Sequence, residues 1–251
     1  MAGHNKWSKV KRLKGALDAK RGKLFSKLSK EISVAVRLGG GNPAFNPRLR
    51  AAVLAARAQS MPNDNIERAI KKGSGEIESG AIEEIVYEGY GPGGVAILVE
   101  TATDNRNRTA ADMRSIFTKN HGNLGSSGSV SYLFDRVGQV TIPLAHAAED
   151  QVLEATLEAG ADELTSDDEH HIVITQPDRL YAVAEALKSA GLESDSQKLT
   201  FVPRTTTMVV DPQAARQVLR LCDALDENDD VLSVHANFEI PEDILAGASS
   251  N

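Results

Sequence analysis

An abrupt change in charge near residue 75 is the feature that most constrains how this 251-residue chain can fold. The first 75 residues contain 17 Lys or Arg and four Asp or Glu, whereas the remainder contains 11 and 31. The two parts therefore carry net charges of +13 and −20, which give the chain its −7. Such an asymmetry indicates one end that binds a polyanion and a remainder that polyanions repel. The alternative is that the basic residues are simply solvated or pair with the acidic part.

The most basic stretch is GHNKWSKVKRLKGALDAKRGKLFSKLSK, residues 3–30, which holds ten Lys or Arg and one acid. Its lysines recur at spacings of three, four and three on one helix face, opposite an apolar stripe formed by Phe25, Leu28, Ile32 and Val36. We expect the lysine face to point into water, so that reversing its charges abolishes nucleic-acid binding and leaves thermal unfolding nearly unchanged. The lysine face consists of Lys20, Lys23, Lys27 and Lys30. Phosphate contacts are predicted for all ten cations, namely Lys6, Lys9, Lys11, Arg12, Lys14, Lys20, Arg21, Lys23, Lys27 and Lys30.

Three helices are predicted in the basic part. The first contains the lysine face and ends at the glycines 39–41, and the second, NPRLRAAVLAARAQS, begins with Asn46 as cap and Pro47 at its first position. The third, NDNIERAIKKG, ends at Gly73. The pattern predicts a helical domain over residues 1–75 with an N-terminal arm, followed by the linker GSGEIESG.

Beyond the linker, short β-rich runs alternate with helices, which predicts an α+β, multidomain fold. Residues 135–204 show the strand and helix order of a ferredoxin-like sandwich. Residues 81–134 and 205–241 each have too few helices to cover a sheet, so we predict that they form one discontinuous ferredoxin-like α/β domain, with 135–204 inserted. The tail EDILAGASSN is expected to fray.

Signals for catalysis, metals and cofactors are weak throughout the chain. GYGPGG has the glycine spacing of a dinucleotide loop, but a β run follows it, so a hairpin turn is the better interpretation. NLGSSGSV lacks the lysine and helix of a phosphate loop, and DDEHH indicates an exposed loop more than a metal site. The single cysteine, Cys222, lies in an apolar-periodic run and is expected to be buried. We therefore predict no enzyme, no metal and no cofactor.

No run of 18 apolar residues and no secretory signal is present, so we expect a cytoplasmic chain without membrane partners. TDNRNRT places Arg106 and Arg108 at a helix N-terminus, where free amides attract anions. These arginines are a possible secondary anion contact, and the alternative is that they pair with neighbouring acids. The strands of 135–204 lack the aromatics of an RNA-binding sheet, so the acidic domains suit protein or ribosome contacts better.

Several long motifs occur in an order that closely resembles the YebC/PmpR family. They include VRLGGGNPAFNPRLRAAV, MPNDNIERAIKKG, YEGYGPGGVAILVE and HGNLGSSGSVSYLF, the last with one glycine fewer than the resemblance leads us to expect. The resemblance implies three domains, the middle one completed by C-terminal chain. It also implies a DNA-binding transcriptional regulator, although mitochondrial and some bacterial members look like ribosome-associated translation factors.

The function predicted is therefore a non-enzymatic, nucleic-acid-binding regulator of gene expression that grips duplex DNA. A ribosome-bound translation factor whose basic end lies on rRNA is the first alternative. A protein scaffold whose basic end clasps an acidic partner is the second.

Overall fold

The computed structural model describes residues 20–77, 80 and 82–248 of the chain. Its α-helices are α1 Lys20–Gly39, α2 Pro47–Ala58, α3 Asn63–Ser74, α4 Arg106–Lys119, α5 Glu149–Leu157, α6 Leu180–Ser189, α7 Pro212–Asp226 and α8 Glu242–Ala248. Its strands are β1 Glu83–Tyr90, β2 Ala96–Thr103, β3 Asn123–Leu124, β4 Phe134–Pro143, β5 Ala161–Ser166, β6 His170–Thr175, β7 Ser196–Pro203, β8 Thr207–Met208, β9 Val231–Ala236 and β10 Phe238–Glu239. Helices thus precede a sheet-containing region, and the predicted α+β, multidomain class is confirmed.

Of the described residues, those within Met1–Val34, Gly75–Asp135 and Val202–Asn251 form one compact unit. Its main sheet has the order β3-β1-β2-β9, in which β1 and β2 form an antiparallel hairpin and β9 pairs with β2 from about 130 residues further along the chain. Ile97 and Val99 of β2 pack with Phe117 of α4 and Leu221 of α7 in a solvent-free core. Cys222 belongs to the same core, which confirms that it is buried.

The glycine-rich GYGPGG segment forms the turn of the β1–β2 hairpin, as predicted. The Gly91 amide donates to the Val95 carbonyl at 2.8 Å, and Gly93 and Gly94 adopt φ of +73° and +75°. Only glycine reaches such angles without strain, which explains the composition of the turn. A dinucleotide would require a helix after these glycines, and β2 occupies that place.

The other compact unit comprises Ala35–Ser74 and Arg136–Phe201. Its sheet has the order β5-β6-β4-β7 and carries α5 and α6, which is the ferredoxin-like arrangement predicted for this part. Val140 of β4, Val152 of α5 and Leu187 of α6 are fully buried together. Gly138 has no room for a side chain, because a Cβ there would lie 2.8 Å from the Leu180 Cβ.

The boundaries of the three predicted domains remain a prediction. The two compact units divide the chain within α1, between Val34 and Ala35. The tail was expected to fray, but Glu242–Ala248 forms α8, whose Ile244 packs against the core. Among the described residues, no helix is both long and apolar enough to cross a bilayer.

Candidate nucleic-acid interface

Seven of the ten predicted phosphate contacts fall where no side chain can be described. Lys6, Lys9, Lys11, Arg12 and Lys14 lie outside the described residues, and Lys20 and Arg21 begin α1 without described side chains. The apolar stripe of this helix is confirmed in its C-terminal half, where Ile32 and Val36 are buried. Phe25 and Leu28 are half-buried, as the helical period predicts for the same face.

Two members of the lysine face do not point into water, and the expectation is wrong for these two. Lys27 Nζ lies 2.9 Å from Asp226 Oδ1, and Lys30 Nζ lies 2.7 Å from Asp230 Oδ1. Their side chains are only 15% and 22% exposed. Lys23 remains exposed and donates a longer bond of 3.3 Å to the Glu227 carbonyl.

The end of α7 explains why these ammonium groups bind there. The last carbonyls of a helix have no partner within it, and the helix dipole is negative at that end. Lys27 accordingly also donates to the carbonyl of Asp226, the last residue of α7, at 2.6 Å. Lys30 donates to the Asp229 carbonyl, just beyond the helix, at 2.7 Å. We call residues 226–230 the acidic segment; it offers both carboxylates and carbonyls to α1.

Asp230 is the most buried acid of the acidic segment and has several hydrogen-bond partners. It is 5% exposed and accepts hydrogen bonds from Lys30, from Arg108 at 2.9 Å and from Thr109 at 2.7 Å. Burial acts to raise the pKa of this carboxyl, but hydrogen bonds from Lys30, Thr109 and Arg108 lower it to about 2. The carboxylate therefore joins α1 to the start of α4. Asp230 itself directly precedes β9.

The two arginines of TDNRNRT have different environments. Arg108 bridges Asp104 and Asp230, so the alternative of pairing with acids holds for it. Asn105 caps α4 by accepting from the Arg108 amide at 3.1 Å. Arg106 is exposed at the first position of the helix.

Further cations are exposed at the end of α1 and on the two helices that follow it. Residues 32–63 contain four arginines and no Asp or Glu. Arg37, Arg57, Arg68 and Lys71 are all exposed. Sequence reasoning passed over these positions because their spacing forms no stripe, although the acid-free run was a usable signal for Arg37 and Arg57.

The main-chain amides of the glycine-rich NLGSSGSV loop already bind an anion, which is the carboxylate of Glu88. The buried Glu88 carboxylate accepts from the main-chain N–H groups of Gly128 and Val130 at 2.7 Å and of Ser131 at 2.8 Å. Burial acts to raise the pKa of Glu88, but these three hydrogen bonds lower it overall. The loop is thus closed by the chain's own carboxylate, which occupies the place of a phosphate.

A cluster that sequence reasoning missed lies on β2 and β9. His235 Nε2 lies 2.8 Å from Glu100 Oε2 and 3.1 Å from Ser233 Oγ. Strand pairing brings these residues together across more than 130 positions, which no local motif could reveal. Glu100 and Ser233 share one ring nitrogen, whereas a catalytic triad places the acid and the nucleophile on opposite nitrogens.

Among the described residues, the other candidate sites have no arrangement suited to metal binding or nucleophilic catalysis. No group of three His, Cys, Asp or Glu residues there could hold a metal ion. His171 of DDEHH is buried, 2.9 Å from the Ala147 carbonyl and 2.8 Å from the Ser166 hydroxyl. Burial raises the pKa of the Cys222 thiol far above its ordinary value, which disfavours the nucleophilic thiolate.

Comparison with known proteins identifies relatives of the whole chain. A "Probable transcriptional regulatory protein" of Aquifex aeolicus is 51% identical over 245 residues, which cover 98% of each chain. One of the same name from Rubrobacter xylanophilus is 53% identical over 247 residues, again covering 98% of each. The crystal structure of the conserved hypothetical protein Aq1575 from Aquifex aeolicus matches with a TM-score of 0.85 and 52% identity, covering 90% of this chain and 93% of that one.

Two family models divide the chain near the charge boundary. "TACO1/YebC protein N-terminal domain" matches residues 5–76, and "TACO1/YebC second and third domain" matches residues 82–238. The matched residues cover both the basic part and most of the acidic part. The resemblance seen in the motifs is confirmed, and the chain belongs to the TACO1/YebC family.

Proposed function

We propose that this chain is a non-enzymatic regulator of gene expression that binds nucleic acid through its basic first 75 residues. The relatives' name, "Probable transcriptional regulatory protein", supports a regulatory role. The observation that carries the binding role is the set of exposed cations on α2 and α3, beside a run of 32 residues without an acid. Cations that neutralise the phosphates of a nucleic acid release its condensed counterions. This release drives association without any recognition of the base sequence.

The structure of α1 changes which lysines we assign to phosphate. Lys27 and Lys30 are engaged by the acidic segment, so we assign them to holding α1 in place. Lys23 is exposed and keeps its predicted contact. The five cations before residue 15, together with Lys20 and Arg21, keep their predicted contacts, and Arg57, Arg68 and Lys71 join them.

The proposed target is duplex DNA, in keeping with the relatives' name. Ribosomal RNA is the second candidate, because the net charge of −20 beyond residue 75 is repelled by DNA but is able to face proteins on a ribosome. Crosslinking in cells, followed by sequencing of both DNA and RNA, separates promoters from rRNA directly. A protein scaffold would crosslink to neither promoters nor rRNA. Its complexes would survive nuclease treatment.

A charge-reversal pair tests the proposed surface. One variant changes Arg57, Arg68 and Lys71 to Glu. Its matched control changes three exposed cations of the acidic part to Glu, namely Lys119, Lys188 and Arg220. Both variants change the net charge by the same amount, so only the position of the change differs.

Affinity for a 20-base-pair DNA duplex and a 20-nucleotide RNA is measured across a salt series with the full chain. The first variant should bind more weakly, and its salt slope should fall by about 0.9 for each lost duplex phosphate contact. The control should keep the wild-type slope. Equal losses in both variants, or no binding by the wild type, would refute the proposed surface.

A further inference from the structure

The loop between α1 and α2 displays an aromatic ring to solvent. Phe45 is 84% exposed and is the most exposed large apolar side chain among the described residues. Leaving such a ring in water forgoes about 2 kcal/mol of burial free energy, so an exposed ring in a flexible loop tends to fold back. The backbone around Phe45 prevents this.

Hydrogen bonds fix the loop from within. The Asn42 carbonyl accepts from the amides of Phe45 at 3.1 Å and Asn46 at 3.0 Å. Asn42 Oδ1 also accepts from the Ala44 amide at 2.9 Å. The peptide that carries Phe45 is therefore held in a tight turn, with its ring outside.

Side chains fix both ends of the loop to its surroundings. Asn46 Nδ2 donates to the carbonyls of Ala35 at 2.7 Å and Gly40 at 2.8 Å, while its Oδ1 caps α2. Gly39 leaves room for this amide, since a Cβ there would lie 2.8 Å from the Asn46 side chain. Arg50 donates to the Pro43 carbonyl at 3.2 Å.

The Arg50 guanidinium, which binds the loop, is itself held in place. Its central carbon lies 4.6 Å from the ring centroid of Tyr181, a cation–π geometry. The loop is thus preorganised before any partner arrives, and a preorganised ring loses little entropy on binding. This is the arrangement expected of a contact residue.

The charge around Phe45 selects the partner. Arg37 precedes the loop by a few residues and is exposed, Arg48 follows Phe45 by three residues, and no acid occurs between Glu31 and Asp64. An apolar groove on a protein partner does not require cations around the ring. A nucleic acid supplies phosphates for the cations and flat bases for the ring. Aromatic rings in cationic surroundings bind single-stranded nucleic acid by stacking on its bases.

We propose that Phe45 stacks on an unpaired nucleobase of a nucleic acid whose phosphates contact the neighbouring cations. The inference rests on the proposed nucleic-acid binding and adds the kind of segment that is bound. Bases in a duplex are stacked on each other and present only their edges, so the Phe45 contact adds affinity for unpaired bases in single strands, bulges or loops. It adds none for a perfect duplex, which the cations alone contact.

The test uses the full chain and a fluorescein-labelled, unstructured 20-nucleotide RNA, alone and as a perfect duplex. Phe45→Ala and Phe45→Leu should weaken single-strand binding about 5- to 150-fold, because stacking is lost. Phe45→Trp should bind at least as tightly as the wild type. Tyr132→Ala is the matched control, since that aromatic is also exposed but lies in the other unit.

The salt slope and the duplex affinity should not change in any Phe45 variant, because no phosphate contact is removed. Unchanged melting temperatures would show that the loop still folds. Full single-strand binding by Phe45→Ala overturns the stacking inference and leaves the proposed function intact. Binding retained by Phe45→Leu overturns it as well, since leucine is apolar but has no π face. Absence of wild-type binding to both probes overturns the proposed function and the inference together.

Discussion

Replacing Asp230 with Asn tests whether the acidic segment stabilises the fold. Breaking a buried ion pair by removing one partner costs about 3–5 kcal/mol. Lys30 and Arg108 are 22% and 49% exposed, so water partly compensates them after the change. We therefore expect Asp230→Asn to lower the free energy of unfolding of its unit by about 2–3 kcal/mol.

The sole cysteine provides the assay. Cys222 is fully buried in the same unit, so a thiol reagent labels it only when that unit opens. Where reclosing is faster than labelling, the labelling rate follows the equilibrium population of the open form. A loss of about 2–3 kcal/mol then predicts a labelling rate roughly 30- to 150-fold above wild type.

Asp229→Asn is the matched control. Asp229 is exposed, and its contact with Lys30 uses the main-chain carbonyl, which the substitution keeps. Its labelling rate should stay within about threefold of the wild type, as is usual for surface changes. Equal labelling rates for the two variants would refute the argument that Asp230 stabilises the fold.

The pH dependence supplies an independent check. The pKa of Asp230 is lowered to about 2 from an ordinary value of 3.8, so its contribution is complete above about pH 4 and is lost as the pH falls towards 2. The difference in urea midpoint between wild type and Asp230→Asn, followed by circular dichroism, should shrink over that window. A constant difference down to pH 2 would show that the carboxylate charge is not responsible.

Two further substitutions test close contacts in the same unit. Glu88→Gln should destabilise the unit by about 2 kcal/mol, because an amide NH₂ would face main-chain donors, and hydrogen exchange should accelerate at residues 128–131. Gly89→Ala should lower the melting temperature strongly, because its Cβ would lie 2.6 Å from a Phe117 ring carbon. Gly22→Ala is the control for the latter, since nothing lies within 4 Å there and alanine favours a helix by about 0.5–1 kcal/mol.

Local chemistry made several features predictable. Asn46 caps α2 with Pro47 at its first position, as the sequence indicated, because capping depends only on adjacent residues. The apolar period placed Ile32 and Val36 correctly in the interior. The hairpin turn at residues 91–95 followed from glycines that tolerate positive φ.

Long-range pairing was not predictable from such patterns. A lysine stripe looks the same whether it meets water or a helix end about 200 residues away in the sequence. The acids of ALDENDDV are equally ambiguous, because nothing in their order distinguishes the buried Asp230 from the exposed Asp229.

The pairing of α1 with the acidic segment changes the meaning of the charge asymmetry. Part of the positive charge neutralises acids of the same unit at distances of 2.7–2.9 Å, where salt at 0.15 M screens little because its Debye length is about 8 Å. Exposed cations such as Arg57 and Lys71 have no such shielding from solvent ions. The salt slope of nucleic-acid binding should therefore reflect the number of exposed cations that contact phosphate. Lys27 and Lys30 should instead contribute to the stability of the fold at every salt concentration used. Two populations of positive charge, one structural and one available to phosphate, follow from burial rather than from sequence position.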